Sequence, residues 1–181
     1  MKKNKALIGT DFHVRPSHLD VSQKLLEKVL KELKERQPEY YINLGDTFHT
    51  KNQIYASAIK AYRLFLEEVL SMGIKVIHLV GNHDYANPWY SIHALESYKG
   101  IHPNLTIVDS SYTLGDNVFI SYRKEKDKFA ELLSQAGKKK RIFAHMDING
   151  MTPGSGWEEI NPFFDPEDFK GYEMIVSGHL H

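Results

Sequence analysis

The sequence predicts an α/β fold built around a largely parallel sheet. Short apolar runs alternate with amphipathic stretches along nearly the whole chain, which is the pattern of strands separated by helices. Hydrophobic residues make up 41% of the chain and charged residues 25%, an ordinary globular composition that argues against disorder. The length of 181 residues suits one core, so we expect a single domain over residues 1–181 and no second one.

The first half of the chain alternates three predicted strands with two predicted helices. Apolar runs predict the strands at Lys5–Thr10, Tyr40–Leu44 and Ile74–Val80. Between them, apolar residues recur every three or four positions, which predicts helices at Val21–Leu33 and Ile54–Val69. Asp20 or Ser22 is expected to cap the start of the first helix.

Shorter elements follow in the second half of the chain. They are predicted as helices at Trp89–Tyr98 and Phe129–Ala136, and as strands at Leu105–Val108, Tyr112–Leu114, Val118–Ser121, Arg141–Ala144 and Met174–Ser177. A segment from Met146 to about Gly171 separates the last two strands and shows little periodicity. Loops of that length in compact domains are usually functional, so we expect this one to be functional or to act as a lid.

Charge balance and residue types exclude several classes of protein. Lys and Arg total 23, as do Asp and Glu, so the formal net charge is zero and binding of nucleic acid by bulk positive charge is excluded. The chain has no cysteine, which excludes disulfides, thiol catalysis and cysteine-ligated zinc. No apolar run approaches the ~20 residues needed to cross a bilayer. We therefore expect a cytoplasmic protein without membrane association.

Five of the predicted strands run directly into side chains that can bind a metal ion. The carboxyl ends of parallel strands lie along one edge of a sheet, and ligands bind outside that edge. Side chains more than a hundred residues apart in sequence can therefore meet there. The candidate ligands are Asp11, His13, Asp46, Asn82, His145, His179 and His181.

These seven donors suit two metal ions better than one. Seven ligands are too many for a tetrahedral site, whereas two ions that share a bridging carboxylate take about four each, and Asp46 is the natural bridge. Among these seven candidate ligands, only Asp11 and Asp46 carry negative charge. Two divalent ions would leave the site net positive, which favours an anionic phosphate ester over a neutral peptide or sugar. Two ions ~3.5–4 Å apart can also activate a water and stabilise a leaving oxygen. Arg15, two residues after His13, is the candidate to contact the phosphate.

At these residues the sequence resembles the calcineurin-like metallophosphoesterases. The signature of that family is Asp-x-His, Gly-Asp, Gly-Asn-His-Asp/Glu, a later His and Gly-His-x-His, and every part of it occurs here between Asp11 and His181. The resemblance implies a four-layer α/β/β/α sandwich. It also implies how the ligands divide: one ion on Asp11, His13, Asp46 and His181, the other on Asp46, Asn82, His145 and His179.

The same resemblance implies roles for residues that do not bind metal. His83, which follows Asn82, would stabilise the phosphate or protonate the leaving oxygen. An acidic partner would orient that histidine, and Asp84 is the candidate for this role.

The segment from Gly45 to His49 resembles the SbcD-type DNA repair nucleases, which include the eukaryotic meiotic-recombination-eleven family. This resemblance implies DNA hydrolysis in repair or recombination, with His49 assisting catalysis and substrate placement. It implies manganese as the metal, although iron or zinc would fit the ligands about as well. An SbcC-type ATPase partner and a homodimer are implied too, and any ATPase must be a separate chain because no Gly-x4-Gly-Lys-Ser/Thr motif occurs.

Other branches of the superfamily fit the sequence less well. Protein phosphatases carry Asp-Arg-Gly shortly after the Gly-Asp aspartate, where this chain has Phe48-His49-Thr50, and lipid-A pyrophosphatases usually have Arg in place of His83. Two alternatives remain open: a cyclic-nucleotide or general phosphoesterase, and a scaffold that binds protein partners without catalysis. SbcD-type nucleases normally continue well past Gly-His-x-His, so we expect a truncated nuclease core whose second sheet is incomplete.

Overall fold

A computed structural model describes residues 6–50, 53–86, 92–137, 139–150 and 164–179. The strands are β1 Ala6–Gly9, β2 Tyr40–Asn43, β3 Lys75–Leu79, β4 Leu105–Val108, β5 Ser111–Leu114, β6 Asn117–Ile120, β7 Arg141–His145 and β8 Met174–Gly178. The α-helices are α1 Leu19–Arg36, α2 Ala56–Ser71 and α3 Lys126–Gln135, and short 3₁₀ helices lie at Pro16–His18, Ala94–Tyr98 and Pro166–Phe169. Within these ranges, no helix combines the length and the apolar character that crossing a bilayer requires.

The strands form two sheets of four. The first sheet has the order β1-β2-β3-β4, and all of its strands run parallel. The second has the order β5-β6-β7-β8, in which β5 and β6 form an antiparallel hairpin and the other pairs are parallel. The expectation of largely parallel pairing is confirmed, and it applies to two sheets.

Three apolar clusters bind these sheets and helices into four layers. The largest packs α1 and α2 on the outer face of the first sheet, through residues such as Leu26, Phe65 and Val76. A second cluster lies between the sheets, where Ile77 of β3 meets Phe119 of β6. The third packs α3 on the outer face of the second sheet. The fold is therefore the α/β/β/α sandwich that the family resemblance implied.

Two local predictions were wrong. Neither Asp20 nor Ser22 caps α1: the helix begins at Leu19, and the N-cap position falls to His18, whose side chain makes no capping hydrogen bond. Instead of capping, Ser22 is buried. The helix expected at Trp89–Tyr98 is reduced to the 3₁₀ helix at Ala94–Tyr98, while residues 87–91 lie outside the described residues.

Loops that leave β1 and β2 stay paired beyond the ends of the strands. The backbone N–H of Asp11 donates to the carbonyl of Gly45, and that of His13 donates to the carbonyl of Asp46, each at 3.0 Å. A further bridge joins Val14 to Phe48. This pairing holds the first two predicted metal-binding segments side by side at the carboxyl edge of the first sheet.

Candidate metal centre

Asp46 lies at the middle of the predicted ligands. Its side chain is 2% exposed, and its Oδ2 lies 3.3 Å from Nε2 of His145 and 3.6 Å from Nε2 of His13. Its other oxygen, Oδ1, accepts a hydrogen bond of 2.8 Å from the backbone N–H of His83. Asp46 therefore touches donors that come from both sheets, as a bridging carboxylate must.

A second set of donors closes around Asn82. The Oδ1 atom of Asn82 lies 2.9 Å from Nε2 of His145 and 2.8 Å from Nδ1 of His179, and these two ring nitrogens are 3.1 Å apart. Asp11 accepts from the backbone N–H of His179 at 3.1 Å.

The structure thus brings together all the candidate ligands that it describes. His181 lies outside the described residues, so its place in the centre stays a prediction. Two overlapping groups of three have ligand atoms within 4.8 Å of one another, and Asp46 belongs to both: Asp11, His13 and Asp46, and Asp46, His145 and His179. This is the division that two ions with one bridging carboxylate would need.

Chemically, this donor set calls for a cation. Nδ1 of His145 lies 2.8 Å from the carbonyl oxygen of Leu44 and donates to it, so that Nε2 turns its lone pair toward Asp46 and Asn82. Oxygen and nitrogen acceptors then face one another in a buried space, and only positive charge stabilises that arrangement. Carboxylate, amide and imidazole donors of this kind suit divalent ions.

The pKa values of Asp46 and His145 are shifted in the directions that favour positive charge at the centre. Burial opposes ionisation of Asp46, but the hydrogen bond and charge of His145 and the backbone N–H of His83 hold the pKa of Asp46 well below its usual range. Burial also disfavours the charged form of His145, yet the hydrogen bond and charge of Asp46 raise the pKa of His145. A proton on His145 and a metal ion thus compete for the same position.

Backbone conformation marks the same residues. Asp11, His13, Asp46 and His179 have φ angles of 56°, 44°, 53° and 99°, in the left-handed region that L-residues rarely adopt. Among the described residues, one further non-glycine residue shares this conformation, Gln37 at the end of α1. Strain of this kind persists where the surroundings hold it in place, and it concentrates at functional sites.

Comparison with known proteins decides the family. The model of the family described as calcineurin-like phosphoesterase matches residues 5–181. This chain belongs to the calcineurin-like phosphoesterase family. No curated protein matches its sequence significantly.

Among solved structures, one that resembles this phosphoesterase is the crystal structure of the Pseudomonas putida nuclease MPE. Sequence identity is 16% and the TM-score is 0.49. The match covers 80% of this chain and 64% of that chain, so this phosphoesterase spans less than two thirds of the length of the nuclease.

Beside the metal centre of this phosphoesterase lies a cluster of three imidazoles. Ring nitrogens of His13, His49 and His83 lie within 4.8 Å of one another. Nδ1 of His83 lies 2.8 Å from the carbonyl oxygen of His49 and donates to it. Arg15 donates to Nε2 of His49 at 3.5 Å. Partial burial, and then the charges of Arg15 and His83, lower the pKa of His49, so this ring is neutral at neutral pH.

The orienting role predicted for Asp84 is corrected by this geometry. The hydrogen bond that orients the ring of His83 goes to the His49 carbonyl. Asp84 is buried, and its carboxylate accepts from the backbone N–H groups of Thr47, Phe48 and Gly81 at 2.9 to 3.1 Å. Burial, and then the charge of Asp46, raises the pKa of Asp84 to about 7 despite these donors. Asp84 therefore ties the turn after β2 to the turn after β3.

Asp147 was not singled out by the sequence, although it contacts a predicted ligand. Its side chain is buried, and its Oδ1 lies 2.6 Å from Nε2 of His179, whose Nδ1 faces Asn82. A carboxylate this close to the second ring nitrogen of a metal-binding histidine favours one ring orientation. The available signal was spacing: Asp147 follows His145 by two positions, which places both on one face of an extended segment.

A buried polar network supports the turn that carries Asp46. His78 on β3 contacts Oγ1 of Thr47 at 2.7 Å and the hydroxyl of Tyr62 at 3.1 Å. Asn43 donates to the hydroxyl of Tyr62 at 3.1 Å and accepts from the backbone N–H of Gly45 at 3.0 Å. Burial, followed by the charge of His93, lowers the pKa of His78 to about 3, so this imidazole is neutral in the folded protein.

Proposed function

We propose that this phosphoesterase hydrolyses phosphodiester bonds of DNA, in repair or recombination, with two divalent metal ions. The observation that supports this most directly is the convergence of five other donors around the buried carboxylate of Asp46. The Gly45–His49 segment supports the DNA-specific part, because it resembles SbcD-type nucleases. Manganese is the proposed metal, iron and zinc being compatible with the same donors. The proposed compartment is the cytoplasm.

The residues of the centre have separate tasks in this proposal. Asp11 and His13 would hold one ion, Asn82, His145 and His179 the other, and Asp46 both. When bound, two such ions supply Lewis-acid stabilisation of a phosphate and activation of a water. Each of His145 and His179 keeps one ring nitrogen engaged by the protein, at Leu44 and Asp147 respectively, which presents the other nitrogen as a ligand.

The imidazole cluster supplies the groups that would act on the substrate. His83 uses its Nδ1–H for the His49 carbonyl, so its Nε2, once it carries a second proton, would donate to a phosphate oxygen or protonate the leaving oxygen. His49 is neutral and therefore contributes a hydrogen bond rather than charge. Arg15, held beside His49, supplies a permanent positive charge for the phosphate.

A hydrolysis assay tests the proposal. It measures cleavage of labelled single-stranded DNA, labelled double-stranded DNA and bis-p-nitrophenyl phosphate, each with and without manganese. We expect manganese-dependent cleavage of all three substrates. His83→Ala should lower kcat by about 10² to 10⁴, the range of a lost general acid. His102→Ala is the control, because the Nδ1 of His102 accepts from the backbone N–H of Asn104, and His102 contacts none of the site residues that the structure describes.

Two outcomes would contradict this proposal in different ways. Turnover of the small ester with no cleavage of DNA would favour the cyclic-nucleotide or general phosphoesterase, which a panel of nucleotides would then identify. A protein that binds no metal and cleaves neither substrate would favour the scaffold. Elemental analysis of the purified protein separates these two results.

An SbcC-type ATPase partner and a homodimer are proposed on the sequence resemblance alone. Sedimentation of the protein, alone and mixed with a candidate ATPase, tests both. Both proposals would be contradicted if this chain sedimented at its monomer mass of 20.9 kDa when alone and still sedimented at that mass, apart from the ATPase, in the mixture.

A further inference from the structure

A cavity of about 280 Å³ opens beside the imidazole cluster. Its polar wall includes His13, His49 and His83, together with Arg15. A group seated in this cavity would therefore touch the same side chains that are proposed to act on the phosphate.

Apolar side chains form another part of the cavity lining. Val21 and Leu25, on the first two turns of α1, line it and are 57% and 40% exposed. They lie outside the apolar cluster through which α1 packs on the sheet, where Leu26 and Leu33 take part. Neighbouring apolar side chains that face a pocket rather than the core are typical of a binding surface.

The polar and apolar parts of this lining together select for an amphipathic anion. Arg15 and the imidazoles suit a phosphate, whereas Val21 and Leu25 suit a flat apolar group next to it. A nucleotide combines both features. The volume is at the small end for ligand pockets, which suits one nucleoside and excludes a longer apolar chain.

The geometry points to a nucleoside subsite: the cavity holds the nucleoside attached to the reacting phosphate, with its base against Val21 and Leu25 and a phosphate oxygen at Arg15. This inference rests on the proposed phosphodiesterase function and adds the residues that select nucleotides over simple phosphate esters.

Calorimetry on the zinc-loaded protein tests the subsite without relying on catalysis. Thymidine 5′-phosphate should bind at least tenfold more tightly than deoxyribose 5-phosphate, which carries the same phosphate and sugar but no base. In the double variant Val21→Ser with Leu25→Ser that preference should fall at least fivefold. Leu64→Ser, which removes a 56% exposed leucine from α2, is the matched control and should keep the preference.

Equal binding of the two ligands by the natural protein would overturn the inference, as would an unchanged preference in the double variant. Steady-state kinetics distinguish failure of the nucleoside subsite from failure of the proposed phosphodiesterase function. If DNA is cleaved, the double variant should raise KM for a dinucleotide at least fivefold while kcat stays within twofold, and unchanged KM would also overturn the subsite. If DNA is not cleaved, the proposed function fails, and the calorimetric preference alone decides whether a nucleotide binds here.

Discussion

Four residues of the candidate metal centre hold backbone conformations that L-amino acids avoid: Asp11, His13, Asp46 and His179. Each such conformation costs on the order of 1–3 kcal/mol. The surrounding contacts hold them there, among them the hydrogen bonds from Asp11 and His13 to the loop after β2. Residue types at strand ends predict which side chains converge, but the backbone conformation that aims them depends on these long-range contacts.

Asp147 offers the most direct test of a residue outside the signature motifs. Because the Asp147 carboxylate lies 2.6 Å from Nε2 of His179, Asp147→Ala should weaken zinc affinity by about 10–100-fold, and Asp147→Asn, which keeps an acceptor, should weaken it less. A competition titration against a chromophoric chelator measures this. Asp116→Ala is the control, because Asp116 is exposed and pairs with Lys140. Zinc affinity within twofold of the natural protein for Asp147→Ala would contradict the assignment.

His78 predicts how stability depends on pH. Its pKa is about 3 in the folded protein and about 6.5 when unfolded, so between these values the unfolded chain binds more protons. This contribution to the free energy of unfolding is complete above pH 6.5. It is lost as pH falls toward 3, at up to about 1.4 kcal/mol per pH unit.

Urea unfolding of the natural protein and of His78→Gln at several pH values isolates that contribution. The variant should be less stable near pH 7, because the contacts to Thr47 and Tyr62 are disturbed, and its stability should fall less steeply below pH 6.5. Parallel pH profiles would show that His78 is not the titrating group.

At the scale of elements, strands were predicted more closely than helix ends. Apolar runs located β2 and β3 to within one residue at either end, because burial between layers demands continuous apolar character. The start of α1 was misplaced because a 3₁₀ turn at Pro16–His18 leads into the helix, and His18 takes the position expected of a capping side chain.

Gly81 tests the turn between β3 and the centre. A Cβ atom there would overlap Oδ1 of Asp46. The φ of Gly81 is not positive, so an alanine can adopt its backbone conformation and this overlap alone decides the effect. Gly81→Ala should therefore displace Asp46 and abolish tight binding of the two ions that would share its carboxylate. Gly115→Ala is the control: it has open space but a φ of +57°, so it should cost about 1 kcal/mol of stability and leave metal binding intact. Calorimetric zinc titration of both variants decides, and normal binding by Gly81→Ala would contradict the described turn.

At the scale of the whole molecule, local sequence patterns predict the succession of strands and helices and the convergence of ligands, whereas the division into two sheets was implied only by the family resemblance. The apolar runs of β4 and β5 differ little, yet one closes the first sheet and the other opens the second. That division depends on packing between layers, such as the apolar cluster that holds Ile77 of β3 and Phe119 of β6 between the two sheets. Contacts that join distant segments, such as that of Asp84 with Thr47, are likewise not predicted by local patterns.

The central claim is that side chains from both sheets surround a pair of cations that share Asp46. Anomalous diffraction at the manganese edge, from crystals grown with manganese, measures this most directly. The predicted result is two anomalous peaks ~3.5–4 Å apart, both within bonding distance of the Asp46 carboxylate. A single peak, or peaks that lie away from Asp46, would contradict it.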